Sequence, residues 1–119
     1  MKIMVIAAHP DDEVLIAGGL LARATKEGKS IAVIIVTNGD YTCERNGHVR
    51  QGESVAALAQ LGVGEDRVVF LGYPDGYLSA LGEAPLPPIE RQAVDGQCLR
   101  DNTTYAHRGH FRADAHRAL

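Results

Sequence analysis

His9, Asp11, Asp12 and Glu13 stand together in "AAHPDDEVLIAGG", residues 7–19, where an apolar run ends. An imidazole offers a nitrogen donor and the carboxylates offer hard oxygens. One of each suits Zn2+, and also Fe2+ or Mn2+. A divalent cation would also offset the repulsion among three adjacent carboxylates. Pro10 stiffens the turn and separates the directions of its neighbours. One Asp can then bind metal while the other faces the open coordination position, where a free carboxylate is a natural general base. The plainer reading is an acidic helix start, since Asp and Glu in a first turn complement the helix dipole. A cap, however, does not need His-Pro at the end of a strand.

These residues need elements to position them. "KIMVIAA", residues 2–8, reads as a strand buried on both faces, as in a parallel sheet. "EVLIAGGLLARATKEG" follows as a helix. Its apolar stripe is Ile16, Leu20 and Ala24 at spacing four, widened by Leu21, and Gly28 suits the position just past its end. Gly18 and Gly19 are expected to let the helix backbone approach the sheet. "SIAVIIVTNGD" is a second buried strand. "HVRQGESVAALAQLG" is a second helix, with Val55, Leu58 and Leu61 near one face and Gly62 as its stop. "DRVVFLGYPDG" is a third strand ending in a turn. The alternation implies a parallel sheet with right-handed crossovers, a Rossmann-like α/β fold in three layers.

From Tyr77 onward the pattern fades. Pro85, Pro87 and Pro88 crowd one irregular stretch. The expectation is one domain over residues 1–119, truncated after its first β-α-β-α-β unit and an irregular C-terminal segment. In an open parallel sheet, ligands bind outside the carboxyl ends of the strands. Those ends fall at residues 9–13, 37–40 and 73–76, and all three are polar or acidic.

Of the 119 residues, 45% are hydrophobic and 23% charged, with a net charge of −3. That balance excludes the concentrated basic surface that nucleic acids and anionic membranes require. No apolar run approaches the roughly 18 residues of a membrane span. Cys43 and Cys98 form no CxxC pair and read as free thiols of a reducing compartment, which makes the cytoplasm the default location.

The ordered motifs resemble the PIG-L/LmbE-like family of metal-dependent N-acetylglucosaminyl deacetylases and related amidases. "AAHPDDE" before an "AGG" helix, "TNGD", "RQGESVAALAQLGV" and "LGYPDGYL" carry the resemblance over residues 1 to 80, and "YAHRGHFRADAH" looks like a downstream segment of some members. The resemblance implies that His9 and Asp12 are ligands of a metal, zinc first, and that Asp11 is the general base. It implies that Arg50 contacts a substrate hydroxyl or anion and that Asp75 contacts sugar hydroxyls. The substrate would be a small N-acetyl amino sugar or glycoconjugate, and self-association into a homo-oligomer stays open.

Plainer roles exist for two of these. Arg50 could pair with Glu53 on a solvated helix face, and Pro-Asp-Gly around Asp75 is good turn chemistry. Glu13 would cap the helix or orient a ligand. The family's third metal ligand comes from a downstream His-Pro-Asp-His type of motif, absent here. That ligand would lie past Leu119, or else be His107, His110 or His116.

Competing functions are a nucleotide-binding module, a metal hydrolase for another amide conjugate or a phosphoester, and a fragment without activity. The first expects a glycine-rich phosphate turn after the first strand, whereas the turn here is acidic.

Overall fold

A computed structural model describes residues 1–41, 44–73, 75–76, 91–92 and 99–100, with backbone alone at 44–46 and in the last two pairs. Strand β1 (Lys2–Ala7) leads to helix α1 (Asp12–Lys26), strand β2 (Ser30–Thr37), helix α2 (Glu44–Gln60), a 3-10 turn (Glu65–Arg67) and strand β3 (Val68–Tyr73). The three strands form one parallel sheet in the order β1-β2-β3. Lys2 pairs with Ser30 and Ala7 with Ile35, while Val33 pairs with Val68 and Thr37 with Tyr73 across an irregularity after Ile35. A parallel sheet with helices between its strands is the expected α/β architecture, and both described helices lie on one face of that sheet. Beyond it, β4 (Arg91–Gln92) and β5 (Leu99–Arg100) form a short antiparallel pair. The other features anticipated after Tyr77, and both cysteines, lie outside the described residues.

The core forms where α1 and α2 cover the sheet. Leu21 and Ala24 of α1 and Leu58 of α2 meet Ile31, Val33, Ile35, Val68 and Phe70, all buried. Each large side chain buried this way stabilises the fold by about 1.5–3 kcal/mol. Val55 and Leu61 pack partly buried against the same cluster, as their spacing anticipates. Both helices end on the glycines the sequence marks, Gly28 at φ 68 and Gly62 at φ 81. The hydroxyl of Thr25 donates to the carbonyl of Leu61 at 2.7 Å and ties the two helix ends together.

Three expectations need correction. The stripe of α1 is rotated: Ile16 is 83% and Leu20 52% exposed, while Val14, Ala17, Leu21 and Ala24 face the core. Glu13, at the start of the same helix, is buried as well. Among the described residues, strand β1 lies at the edge of the sheet and is buried on one face alone, leaving Met4 and Ile6 about two-thirds exposed, at 63% and 66%. Finally, Gly18 and Gly19 do not bring the helix onto the sheet. A Cβ at Gly18 would make ordinary contact with Val14 and Leu61, and one at Gly19 would meet nothing. Among the described residues, no helix is long and apolar enough to cross a membrane.

Candidate active site

The carboxyl ends of the three strands converge, as a parallel sheet requires. The backbone N–H of Thr37 donates to the carbonyl of Ala8 at 2.9 Å, and its hydroxyl donates to the same carbonyl at 2.7 Å. The N–H of Asn38 reaches the carbonyl of Tyr73 at 2.8 Å, and its side-chain amide donates to Gly72 at 3.0 Å. The Asn38 carbonyl oxygen accepts from Gln51 Nε2 at 2.7 Å. Asn38 and Gln51 are both fully buried, so "TNGD" and α2 are joined by a polar contact shielded from water.

On this frame His9 meets two carboxylates. Its Nε2 lies 3.0 Å from Asp75 Oδ1 and its Nδ1 3.3 Å from Asp12 Oδ2. Asp12 Oδ2 also accepts the backbone N–H of His9 at 3.1 Å. Asp75 is held in turn by Asp40, a buried carboxylate whose Oδ1 accepts the Asp75 N–H at 2.9 Å. A neutral imidazole carries one N–H. In the tautomer whose Nε2–H donates to Asp75, the Nδ1 lone pair stands beside the Asp12 carboxylate, where the two could share a cation. The donor set therefore fits part of a metal site. Among the described residues, no group of three or more His, Cys, Asp or Glu could hold a metal ion. His107, His110 and His116 lie outside them.

Asp11 points elsewhere. Its side chain is 56% exposed, and Oδ2 accepts from Arg50 Nη2 at 3.1 Å. Arg50 also donates to the carbonyls of Gly39, at 2.7 Å, and Pro10, at 3.0 Å. The guanidinium thus leaves the solvated face of α2 and clamps the first two strand ends. Gly39 makes room for it. Its φ is 63, and a Cβ there would fall 2.8 Å from Arg50 Cζ and 2.9 Å from Pro10 Cδ.

All five residues singled out from the sequence thus stand at one edge: His9 joins Asp12 to Asp75, and Arg50 joins Asp11. A cavity of about 310 Å3 opens beside Asp11 and Arg50, lined also by Pro10, Val14, Glu53 and Ser54. A larger one, about 470 Å3, lies at the opposite end of the strands near Lys29 and Gly62, away from these groups. Sequence reasoning missed Asp40 and Asn38 as partners. The signal was there, because both belong to a strand-end motif on the edge where ligands bind.

The chain matches the family model described as PIG-L: GlcNAc-PI de-N-acetylase over residues 4–112. It is 35% identical over 119 residues to a 1D-myo-inositol 2-acetamido-2-deoxy-alpha-D-glucopyranoside deacetylase of Mycolicibacterium gilvum, covering 88% of this chain and 41% of that protein. A protein of the same description from Mycobacteroides abscessus is 31% identical over 114 residues, covering 84% of this chain and 40% of its own length. One from Kribbella flavida is 30% identical over 110 residues, covering 76% and 36%. The chain spans about two fifths of the length of these relatives.

Proposed function

The chain belongs to the PIG-L family, and on that premise we propose that it hydrolyses the acetamide of an N-acetylglucosaminyl conjugate, releasing acetate and the free amino sugar. The relatives named above point to a polyol aglycone. Its setting is the cytoplasm. The observation that carries the reading is the pairing of His9 with Asp12 beside a separately directed Asp11.

His9, through Nδ1, and Asp12 would hold a divalent cation, zinc by the chemistry of the donors, with further ligands outside the described residues. When bound, such a cation polarises a carbonyl and lowers the pKa of a water toward neutrality. Asp75 fixes the His9 ring through Nε2, as an outer carboxylate fixes a ligating imidazole. Its second role in this reading is to accept from a sugar hydroxyl. Asp11 takes a proton from the attacking water and hands it to the departing amine. Arg50 holds Asp11, and its N–H groups beyond those bonded to Gly39, Pro10 and Asp11 would serve substrate hydroxyls.

Acetate release from N-acetylglucosaminyl-inositol, N-acetylglucosamine and unrelated acyl-amide conjugates tests the reading. Release from the first two, lost on chelation and restored by zinc, is expected. Turnover of the unrelated amides alone would make the chain a different amidase, and no release from any would defeat the reading.

A further inference from the structure

We propose that Glu13 is a positioning residue that sets the direction of Asp11, by holding the Asp11 backbone N–H from inside the fold. The proposal rests on the deacetylase reading, in which Asp11 is the base. Asp11 occupies the N-cap of α1, where an Asp normally turns its carboxylate back onto the helix N–H groups. Here it makes no such bond. Its backbone stands at φ 116 and ψ −32, and it is the non-glycine residue with positive φ among those described. Side chains rarely tolerate that conformation, and it persists only when the surroundings enforce it.

The enforcement is visible on both sides of the residue. The Asp11 carbonyl accepts the N–H groups of Val14 and Leu15, each at 3.0 Å. The Asp11 N–H donates to Glu13 Oε2 at 3.0 Å. Glu13 is 1% exposed, and its Oε1 has no partner among the described residues. A carboxylate is rarely buried this deeply unless it is needed there. What it holds is the strained turn. That turn sends Asp12 to His9 and leaves the Asp11 carboxylate outside the helix, on Arg50. An ordinary N-cap would fold the Asp11 carboxylate onto the helix, where it could not reach a water.

The test uses the whole chain with Glu13→Ala and Glu13→Gln. Gln keeps an oxygen that accepts the Asp11 N–H, whereas Ala does not. Hydrogen exchange of the Asp11 amide, followed by NMR, reads the contact without reference to activity. Steady-state kinetics read its consequence. The amide should be protected in the wild type and in Glu13→Gln and exposed in Glu13→Ala. For Glu13→Ala, kcat should fall by about 10- to 100-fold, the scale of a misplaced reacting group. KM and bound zinc should hold, and Glu13→Gln should restore turnover. An unprotected Asp11 amide in the wild type overturns the proposal. So does a Glu13→Ala variant with wild-type kcat, or a Glu13→Gln variant with a protected amide and lost kcat. If Glu13→Ala does not fold, the wild type and Glu13→Gln decide by the same two readouts. A wild-type chain that releases no acetate defeats the deacetylase reading instead, and the amide still reports whether Glu13 holds the turn.

Discussion

Asp11 and Asp12 are neighbours in the chain with different surroundings, and the proposed function assigns them different roles on that ground. Asp12 turns inward to His9, while Asp11 stays on the open side with Arg50. Asp11→Asn keeps the volume and a hydrogen-bonding oxygen for Arg50 but cannot take a proton. Turnover should fall by about 10²–10⁴-fold, the usual contribution of a general base, while zinc content measured by mass spectrometry stays at the wild-type level. Zinc lost in Asp11→Asn would mean that the two aspartates exchange roles. Gly39→Ala should be the more damaging change to the fold. It places a side chain at a left-handed φ and in the path of Arg50 and Pro10. Conformational penalty and overpacking together predict about 2–4 kcal/mol lost in chemical denaturation. The reactive types at the first strand end were legible in the sequence, because His-Pro followed by acids has few plain uses. The His9–Asp75 contact was not, since it joins positions 66 apart and needs the sheet to exist.

At the level of elements, what the sequence showed was the alternation of strand and helix, and what it hid was rotation. Of the expected stripe, Leu21 and Ala24 reach the core while Ile16 and Leu20 do not. Val14 and Ala17 take the places expected of Ile16 and Leu20. The rotation has measurable consequences. Leu21→Ala should cost about 2–5 kcal/mol, as for other buried leucines, whereas Ile16→Lys should lie within about 0.5 kcal/mol of wild type in the same assay. Comparable losses at both sites would put the stripe back where its spacing suggested. The link from β2 to α2 makes a second prediction. Asn38→Ala strands the side-chain N–H of Gln51 and removes a donor from Gly72. A destabilisation of about 1–3 kcal/mol should appear as a lower denaturant midpoint.

Across the whole molecule, the parallel sheet was readable because three apolar β-rich runs are separated by helices of ordinary length. The C-terminal third was not, because clustered prolines remove the periodicities on which such reading depends. His9 and Asp12 remain partly exposed, and the core is built from other residues. Chelation should therefore abolish acetate release yet leave a cooperative thermal transition, and added zinc should raise Tm as any native-state ligand does. A chain that loses its transition on chelation would show the cation to be structural.

The parallel register also governs the time course by which this site comes into being. Lys2 must find Ser30, and Val33 must find Val68, each across an intervening helix. Such non-local closures slow folding relative to helical bundles of the same size. His9 and Asp12, three residues apart, can meet while the rest of the chain is still searching, whereas Asp75 joins only when β3 docks. Sequence separation alone thus predicts assembly in two stages, a local pair first and the carboxylate that orients it last, an order that time-resolved hydrogen exchange would test.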